Sequence, residues 1–114
     1  MNSPLPFDHF KTEKGVFAYI SENRAHRSFL TGEPLEEDLR AWNFAHVLPK
    51  RRNAYPRFKF YEKNIVLLTY DEHAIWDRAR GKIDVNAEPK WLKLIALERA
   101  LKIEYRQLNR GIKF

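Results

Sequence analysis

Residues 44–77 read FAHVLPKRRNAYPRFKFYEKNIVLLTYDEHAIWD and carry the pattern that decides the fold. An apolar segment before Pro49 and another after Asn64 are separated by a basic loop, which is typical of two short strands. After Thr69 the pattern becomes helical, because Thr69 is a suitable N-cap, acidic residues follow it, and Gly81 is the first breaker. The stretch therefore predicts strand, loop, strand and helix in that order.

The first of these strands shows a clear alternation. Residues 39–48 place large side chains at every second position, namely Trp42, Phe44, His46 and Leu48. A period of two predicts a strand with all four side chains on one face. We expect Trp42 to pack in the core, and we expect the same of Trp91 further along the chain. His46, among apolar neighbours, suits either a hydrogen-bonded core histidine or a catalytic one.

The flanking sequence predicts a single α+β domain whose core spans residues 28–80. The segment Thr-Gly-Glu-Pro at 31–34 predicts a tight turn in a β-hairpin. Residues 1–27 are expected to form an irregular arm followed by a short helix. From 89 to about 110, apolar residues recur at helical spacing, which predicts a long C-terminal helix ending at Gly111.

The composition narrows the classes of function open to the chain. Its 114 residues fit one domain, and the absence of cysteine excludes disulfides, a thiol nucleophile and a cysteine-ligated zinc. No apolar run approaches the ~18 residues that a membrane span needs, so we expect a cytoplasmic protein with no membrane contact. The net charge of +6 favours a polyanionic partner, although a basic face kept for solubility would give the same charge.

The polar residues of the opening stretch supply the parts of a phosphodiesterase. Hydrolysis of a phosphodiester needs a base for water and a cation for the phosphoryl oxygens. A neutral imidazole such as that of His46 suits the first role near pH 7. Asn64, His73 and Asp77 carry donor atoms suited to a divalent ion, and the last two share a helical face.

The order of these residues resembles the HNH endonuclease signature of the ββα-metal (His-Me finger) nucleases. The resemblance rests on His-Val-Leu-Pro at 46–49, Asn64 with the apolar run behind it, and His73. Upstream, residues 29–35 are similar to a Thr-Gly turn segment found in small phage and bacterial HNH proteins. The resemblance implies a ββα-metal unit, one divalent ion (Mg²⁺, Mn²⁺, Ni²⁺ or Zn²⁺), DNA or RNA as partner, and a bacterial cytoplasm, with a phage gene as one source.

The same resemblance implies a role for each matching residue. His46 corresponds to the general base, and Asn64 to the residue that contacts the metal or ties down the loop behind the base. His73 corresponds to a metal ligand, with Asp77 one turn later as a second. The nucleic-acid backbone would then follow the basic loop through Lys50, Arg51, Arg52, Tyr55, Arg57 and Lys59.

Two departures from the family pattern keep other functions open. Many HNH nucleases carry Asp or His immediately before the base, where this chain has Ala45, and many carry Cys-x-x-Cys zinc knuckles. One alternative is therefore a catalytically inactive HNH-like protein that binds nucleic acid through the basic loop. Another is a structural or assembly protein in which His46 and His73 are buried pairing residues.

Overall fold

A computed structural model describes residues 10–109 of the chain. These residues form the helices and strands α1 (Glu13–Asn23), β1 (Phe44–His46), β2 (Ile65–Leu67), α2 (Tyr70–Ala79) and α3 (Leu92–Asn109). The predicted mixture of helix and strand is confirmed, and so is the long C-terminal helix. It begins after a single 3₁₀ turn, Pro89–Trp91. The predicted terminator Gly111 lies outside the described residues.

The two strands form a small antiparallel sheet. Phe44 pairs with Leu67, Ala45 with Val66, and His46 with Ile65. All six residues are buried. β2 follows directly on a 3₁₀ turn, Glu62–Asn64. The sheet is therefore short and covered on both faces, which its near-continuous apolar sequence favours.

Helices cover the sheet on its two sides. Phe44 packs in one apolar cluster with Val16 and Ile20 of α1. Ala45 packs in a second cluster with Trp76 of α2 and Trp91, together with buried residues of α3. Alternation along β1 accounts for this division, because neighbouring side chains of a strand point to opposite faces. The prediction that Trp91 is a core residue is confirmed.

The first strand is shorter than the sequence pattern predicts. Residues Ala41–Asn43 form a 3₁₀ turn, so the alternation begins only at Phe44. Asn43 is fully buried, where its amide donates to the Leu68 carbonyl at 2.9 Å and accepts from the Arg40 amide at 2.9 Å. Since Asn43 takes the inward position, Trp42 turns outward and is 44% exposed. The expectation that Trp42 lies in the core is wrong.

Upstream of β1, the predicted tight turn is confirmed, but the hairpin around it is reduced to one isolated bridge. Arg27 and Pro34 form an antiparallel bridge, and Gly32 has a φ of 78°, which favours glycine. Within the hairpin, the buried Ser28 hydroxyl donates to the carboxylate of Glu72 at 2.8 Å. Glu72 also accepts from the backbone amide of Thr69, completing the capping box that begins α2. The hairpin is thus joined to the start of α2.

The expected end of α2 is also confirmed, since the helix stops at Ala79, two residues before Gly81. Residues 36–38, which form an acidic run between the turn at Gly32 and β1, are exposed. Among residues 10–109, no helix combines the length and the apolar character that crossing a bilayer requires.

Candidate functional site

A cavity of about 450 Å³ opens where α1, the end of β1 and α2 meet. Its walls include His46, His73 and Asp77, three of the residues singled out in the sequence. The wall also carries four further charged side chains, those of Glu13, Lys50, Arg51 and Arg80. The fold therefore brings the predicted base and the predicted helical ligand pair to one place, together with several cations.

His46 is held in one tautomer at the end of β1. Its side chain is largely buried, with 8% of the residue exposed. The ring nitrogen Nε2 donates to the backbone carbonyl of Lys59 at 2.9 Å, because a carbonyl can only accept. The other nitrogen, Nδ1, then carries the lone pair that can accept a proton. An oriented neutral imidazole is what a general base requires.

The surroundings of His46 favour its neutral form. Burial lowers the pKa of His46 below its ordinary value of 6.5, and the positive charge of Lys50 lowers it further. The hydrogen bond to the Lys59 carbonyl and the charge of Glu13 act in the opposite direction on the pKa. The lowering prevails, so the imidazole is unprotonated at neutral pH.

Two side chains of α2 and its C-cap fix the backbone beneath His46. The Trp76 indole donates to the carbonyl of His46 at 3.1 Å, and the Arg80 guanidinium donates to the same carbonyl at 3.3 Å. Arg80 also donates to the carbonyl of Val47 and stacks over the Trp76 ring at 4.4 Å. The end of β1 is therefore tied to the end of α2.

Arg80 is a residue of the cavity that the sequence interpretation missed. Its guanidinium lies 3.8 Å from the Asp77 carboxylate and 3.8 Å from that of Glu98 in α3. The spacing could have revealed it, because Arg80 follows Asp77 by three residues and His73 by seven, which places all three on one helical face. Nothing in the sequence indicated that Glu13 lines the cavity, since Glu13 lies on α1, which is distant in the chain from the other charged residues of the wall.

Asn64 lies behind the cavity and ties down a loop. The side chain is almost fully buried, and its Oδ1 accepts from the Leu48 amide at 2.7 Å. Its Nδ2 donates to the carbonyls of Leu48 at 3.1 Å and Phe58 at 3.2 Å. Of the two roles that the resemblance implies, this geometry fits the loop-holding one. Asn64 is not among the residues that line the cavity, and its amide groups are already engaged.

His73 and Asp77 present a nitrogen and an oxygen to one another. Nδ1 of His73 donates to the carbonyl of Trp42 at 2.5 Å, which leaves Nε2 facing Oδ2 of Asp77 at 3.2 Å. Two electron pairs at that distance repel each other unless a proton or a cation lies between them. Neighbouring ligands of an octahedral ion, each ~2.1 Å from it, stand roughly 3 Å apart. The pair therefore fits either a protonated histidine or a shared divalent ion.

The donor set offered to a metal is small. Within residues 10–109, no group of three or more His, Cys, Asp or Glu side chains is placed to hold an ion. Ala45, the residue before His46, is fully buried in the Trp76 cluster and supplies no donor. An imidazole and a carboxylate suit an ion such as Ni²⁺ or Zn²⁺, with water or phosphate oxygens at its remaining positions.

The predicted nucleic-acid-binding residues are divided between the cavity and other surfaces. Lys50 and Arg51 line the cavity and are exposed, and the Lys50 ammonium pairs with the Glu13 carboxylate. Arg52 and Arg57 are exposed but are not among the lining residues. The backbone of Arg52 has a φ of 58°, in the left-handed region.

The remaining two members of that set are partly buried. Tyr55 packs edge-on against the ring of Tyr105, with ring centroids 5.1 Å apart. The Lys59 ammonium lies 5.5 Å from the centre of the Phe60 ring, while the Lys59 carbonyl holds His46. Lys59 therefore contacts the site through its backbone carbonyl and not through its ammonium group.

Comparison with protein-family models, with curated proteins and with solved structures gave no match. The function of the cavity is therefore inferred from the residues and geometry of this chain.

Proposed function

We propose that this chain is a metal-dependent endonuclease of the HNH type, in which β1, β2 and α2 make a ββα-metal unit that hydrolyses phosphodiester bonds of DNA. The observation that supports the proposal most strongly is the meeting of His46 with the His73 and Asp77 pair in one cavity. His46 lies on a strand, and the His73 and Asp77 pair lies on a helix that begins more than 20 residues later in the chain. A single imidazole suits the role of base, whereas a nitrogen beside a carboxylate suits the role of metal ligands.

His46 is the general base in this proposal. Its Nδ1 takes a proton from water as the water oxygen bonds to phosphorus and the bond from phosphorus to the leaving oxygen breaks. The lowered pKa keeps His46 able to accept that proton at neutral pH. The contacts of Lys59, Trp76 and Arg80 keep the ring and its backbone in place while the proton moves.

His73 and Asp77 would hold the divalent ion through Nε2 and Oδ2. When bound, the ion supplies positive charge to the phosphoryl oxygens and to the leaving oxygen. Lys50 and Arg51 lie on the same cavity wall, where they attract and position the phosphate backbone without reading its sequence. The net charge of +6 extends this attraction beyond the cavity.

Nicking of supercoiled plasmid by the untagged chain tests the proposal. We expect nicking with at least one of Mg²⁺, Mn²⁺, Ni²⁺ and Zn²⁺, and none with EDTA. His46→Ala should slow the reaction by about 10²- to 10⁴-fold, the usual contribution of a general base. His26→Ala is the matched control, since Nε2 of His26 also binds a backbone carbonyl, that of Ser21, but His26 does not line the cavity.

Either of two results would overturn the assignment. The first is that the parent chain cleaves neither DNA nor a structured RNA with any of the four metals. The second is that His46→Ala cleaves as fast as the parent, which would attribute the nicking to a contaminant or to another residue.

A second candidate function is binding of nucleic acid without hydrolysis. It is favoured by the small donor set, with two ligands on α2 and a buried alanine at position 45. This candidate predicts affinity for DNA that falls steeply with salt, no metal site and no nicking. An assembly protein, the remaining alternative, predicts neither nicking nor salt-sensitive binding.

A further inference from the structure

Two large aromatic side chains stand exposed beside each other on this protein. Trp42 is 44% exposed and Tyr70 is 63% exposed. Their rings meet edge to face, with centroids 5.8 Å apart and an angle of 82° between the planes. The other two tryptophans, Trp76 and Trp91, are fully buried. Trp and Tyr are enriched at binding surfaces, because their rings combine a large apolar area with a polar group.

This aromatic pair borders the proposed active site. Ala41, the residue before Trp42, lines the cavity, and the Trp42 carbonyl receives the hydrogen bond from His73. Tyr70 begins α2, three residues before His73. Neither ring lines the cavity, but the pair is joined through the Trp42 backbone to the wall that carries His73 and Asp77.

The chemistry of the two neighbouring surfaces matches the two parts of a nucleotide. Cationic side chains of the cavity, those of Lys50 and Arg51, suit phosphate, whereas exposed aromatic rings suit the flat face of a base. The aromatic pair is flanked in sequence by the exposed charges of Arg40 and Asp71. Such a small apolar surface with charged neighbours fits one or two rings better than the broad core of a protein interface.

We propose that Trp42 and Tyr70 stack an unpaired nucleobase beside the cavity, so that this chain prefers nucleic acid with an unpaired strand to an uninterrupted duplex. The inference rests on the proposed function, because it takes a nucleic acid to cross the cavity. A base within a duplex is already stacked and paired, and it cannot offer its face to the indole unless it is extruded.

Tryptophan fluorescence reports this contact directly, because Trp42 is the exposed indole and the other two are buried. The untagged chain is titrated in EDTA with single-stranded oligothymidylate and with a blunt duplex carrying the same number of phosphates. We expect the single strand to quench the fluorescence and to bind more tightly. Omitting metal keeps the measurement independent of hydrolysis.

Labelled oligothymidylate and fluorescence anisotropy then give the affinities of variants. Trp42→Ala should weaken binding by roughly fivefold to a hundredfold, the range found for one base stacked on an aromatic ring, whereas Trp42→Phe should keep most of the affinity. Leu92→Ala is the matched control, since Leu92 is 52% exposed and does not line the cavity. Tyr70→Ala gives a second reading of the same surface if Trp42→Ala fails to fold.

Equal affinity for the two DNA forms, or unchanged binding by a folded Trp42→Ala or Tyr70→Ala, would overturn the stacking surface and leave the nuclease proposal intact. Tryptophan fluorescence that changes with protein concentration and not with added DNA would overturn the stacking surface and indicate a contact between two protein chains. Quenching by single-stranded DNA in a chain that never nicks plasmid would support the stacking surface and remove the nuclease.

Discussion

The two walls of the cavity differ in how firmly they are held. On the strand wall, His46 is buried and bonded through its ring to Lys59, while its carbonyl receives hydrogen bonds from Trp76 and Arg80. On the helix wall, the side chains of His73 and Asp77 are 20% and 61% exposed. The difference suits the two proposed roles, since a general base needs one fixed tautomer whereas metal ligands must leave room for water and substrate.

Because the two walls differ in burial, substitutions in them should affect different properties, folding stability on one wall and ion binding on the other. Changes on the strand wall remove buried hydrogen bonds and should therefore cost folding free energy. Changes on the helix wall remove partly exposed groups and should alter ion binding while the fold persists.

Asn64→Ala, behind the strand wall, should have the largest effect on stability. The change leaves the amide of Leu48 and the carbonyls of Leu48 and Phe58 without their partner. Since each unpaired buried group costs about 1–3 kcal/mol, we expect a loss of roughly 3 kcal/mol or more in the free energy of unfolding. Urea denaturation measures it.

The stability of Asn64→Ala is best compared with that of two further variants. Asn86→Ala changes an exposed asparagine and should cost less than about 0.5 kcal/mol. His73→Ala, on the helix wall, should cost only about 1 kcal/mol, the worth of one ordinary hydrogen bond. The distinction between the walls fails if Asn64→Ala is no more destabilising than His73→Ala.

The lowered pKa of His46 should make stability depend on pH in a definite direction. Between the folded pKa and the ordinary value of 6.5, the unfolded chain binds more protons at this residue than the folded chain does. The free energy of unfolding should therefore fall as the pH drops below 6.5, and His46 should contribute no such dependence above that pH.

Urea denaturation of the parent and of His46→Gln across pH 5 to 8 isolates this effect. Hydrogen bonding to the Ser21 carbonyl raises the pKa of His26, which acts in the opposite direction on stability, but His26 is present in both chains and cancels in the difference. A difference between the chains that does not change below pH 6.5 would show that His46 is not held in its neutral form.

Among the changes to residues of the cavity, Glu13→Gln should have the smallest effect on stability. The ion pair between Glu13 and Lys50 is partly exposed on both sides, 39% and 46%, so its loss should cost less than about 1 kcal/mol. Removal of a negative charge from the cavity should instead tighten binding of DNA by a few-fold at low salt. Glu22→Gln makes the same charge change elsewhere on α1, and an equal gain in that variant would refute a local effect.

Local sequence patterns predicted much of the fold because the responsible contacts are local. The Thr69 cap, the end of α2 before Gly81 and the turn at Gly32 each depend on residues within a few positions. The outward position of Trp42 was missed because Asn43 competes for the buried position, and its partner Leu68 is 25 residues away. Alternation alone carries no information about that competition.

The site divides in the same manner. His73 and Asp77 were predictable as a pair from their spacing of four on one helix, and Arg80 could have been added by the same reasoning. Spacing could not show that the side-chain amide of Asn64 is hydrogen-bonded to the backbone of Leu48 and Phe58. Nor could it show that Glu13 of α1 forms an ion pair with Lys50. Those contacts arise only when distant segments pack.

Calorimetric titration of the untagged chain with Ni²⁺ and Mn²⁺ tests whether the helix wall holds one divalent ion. Ni²⁺ is included because nitrogen and oxygen ligands bind it more tightly than they bind Mn²⁺. We predict one ion per chain and a loss of about tenfold or more in affinity for Asp77→Asn and for His73→Ala, with His26→Ala unchanged. Absence of binding heat with both ions, or an affinity of both variants equal to that of the parent, would show that His73 and Asp77 do not hold an ion.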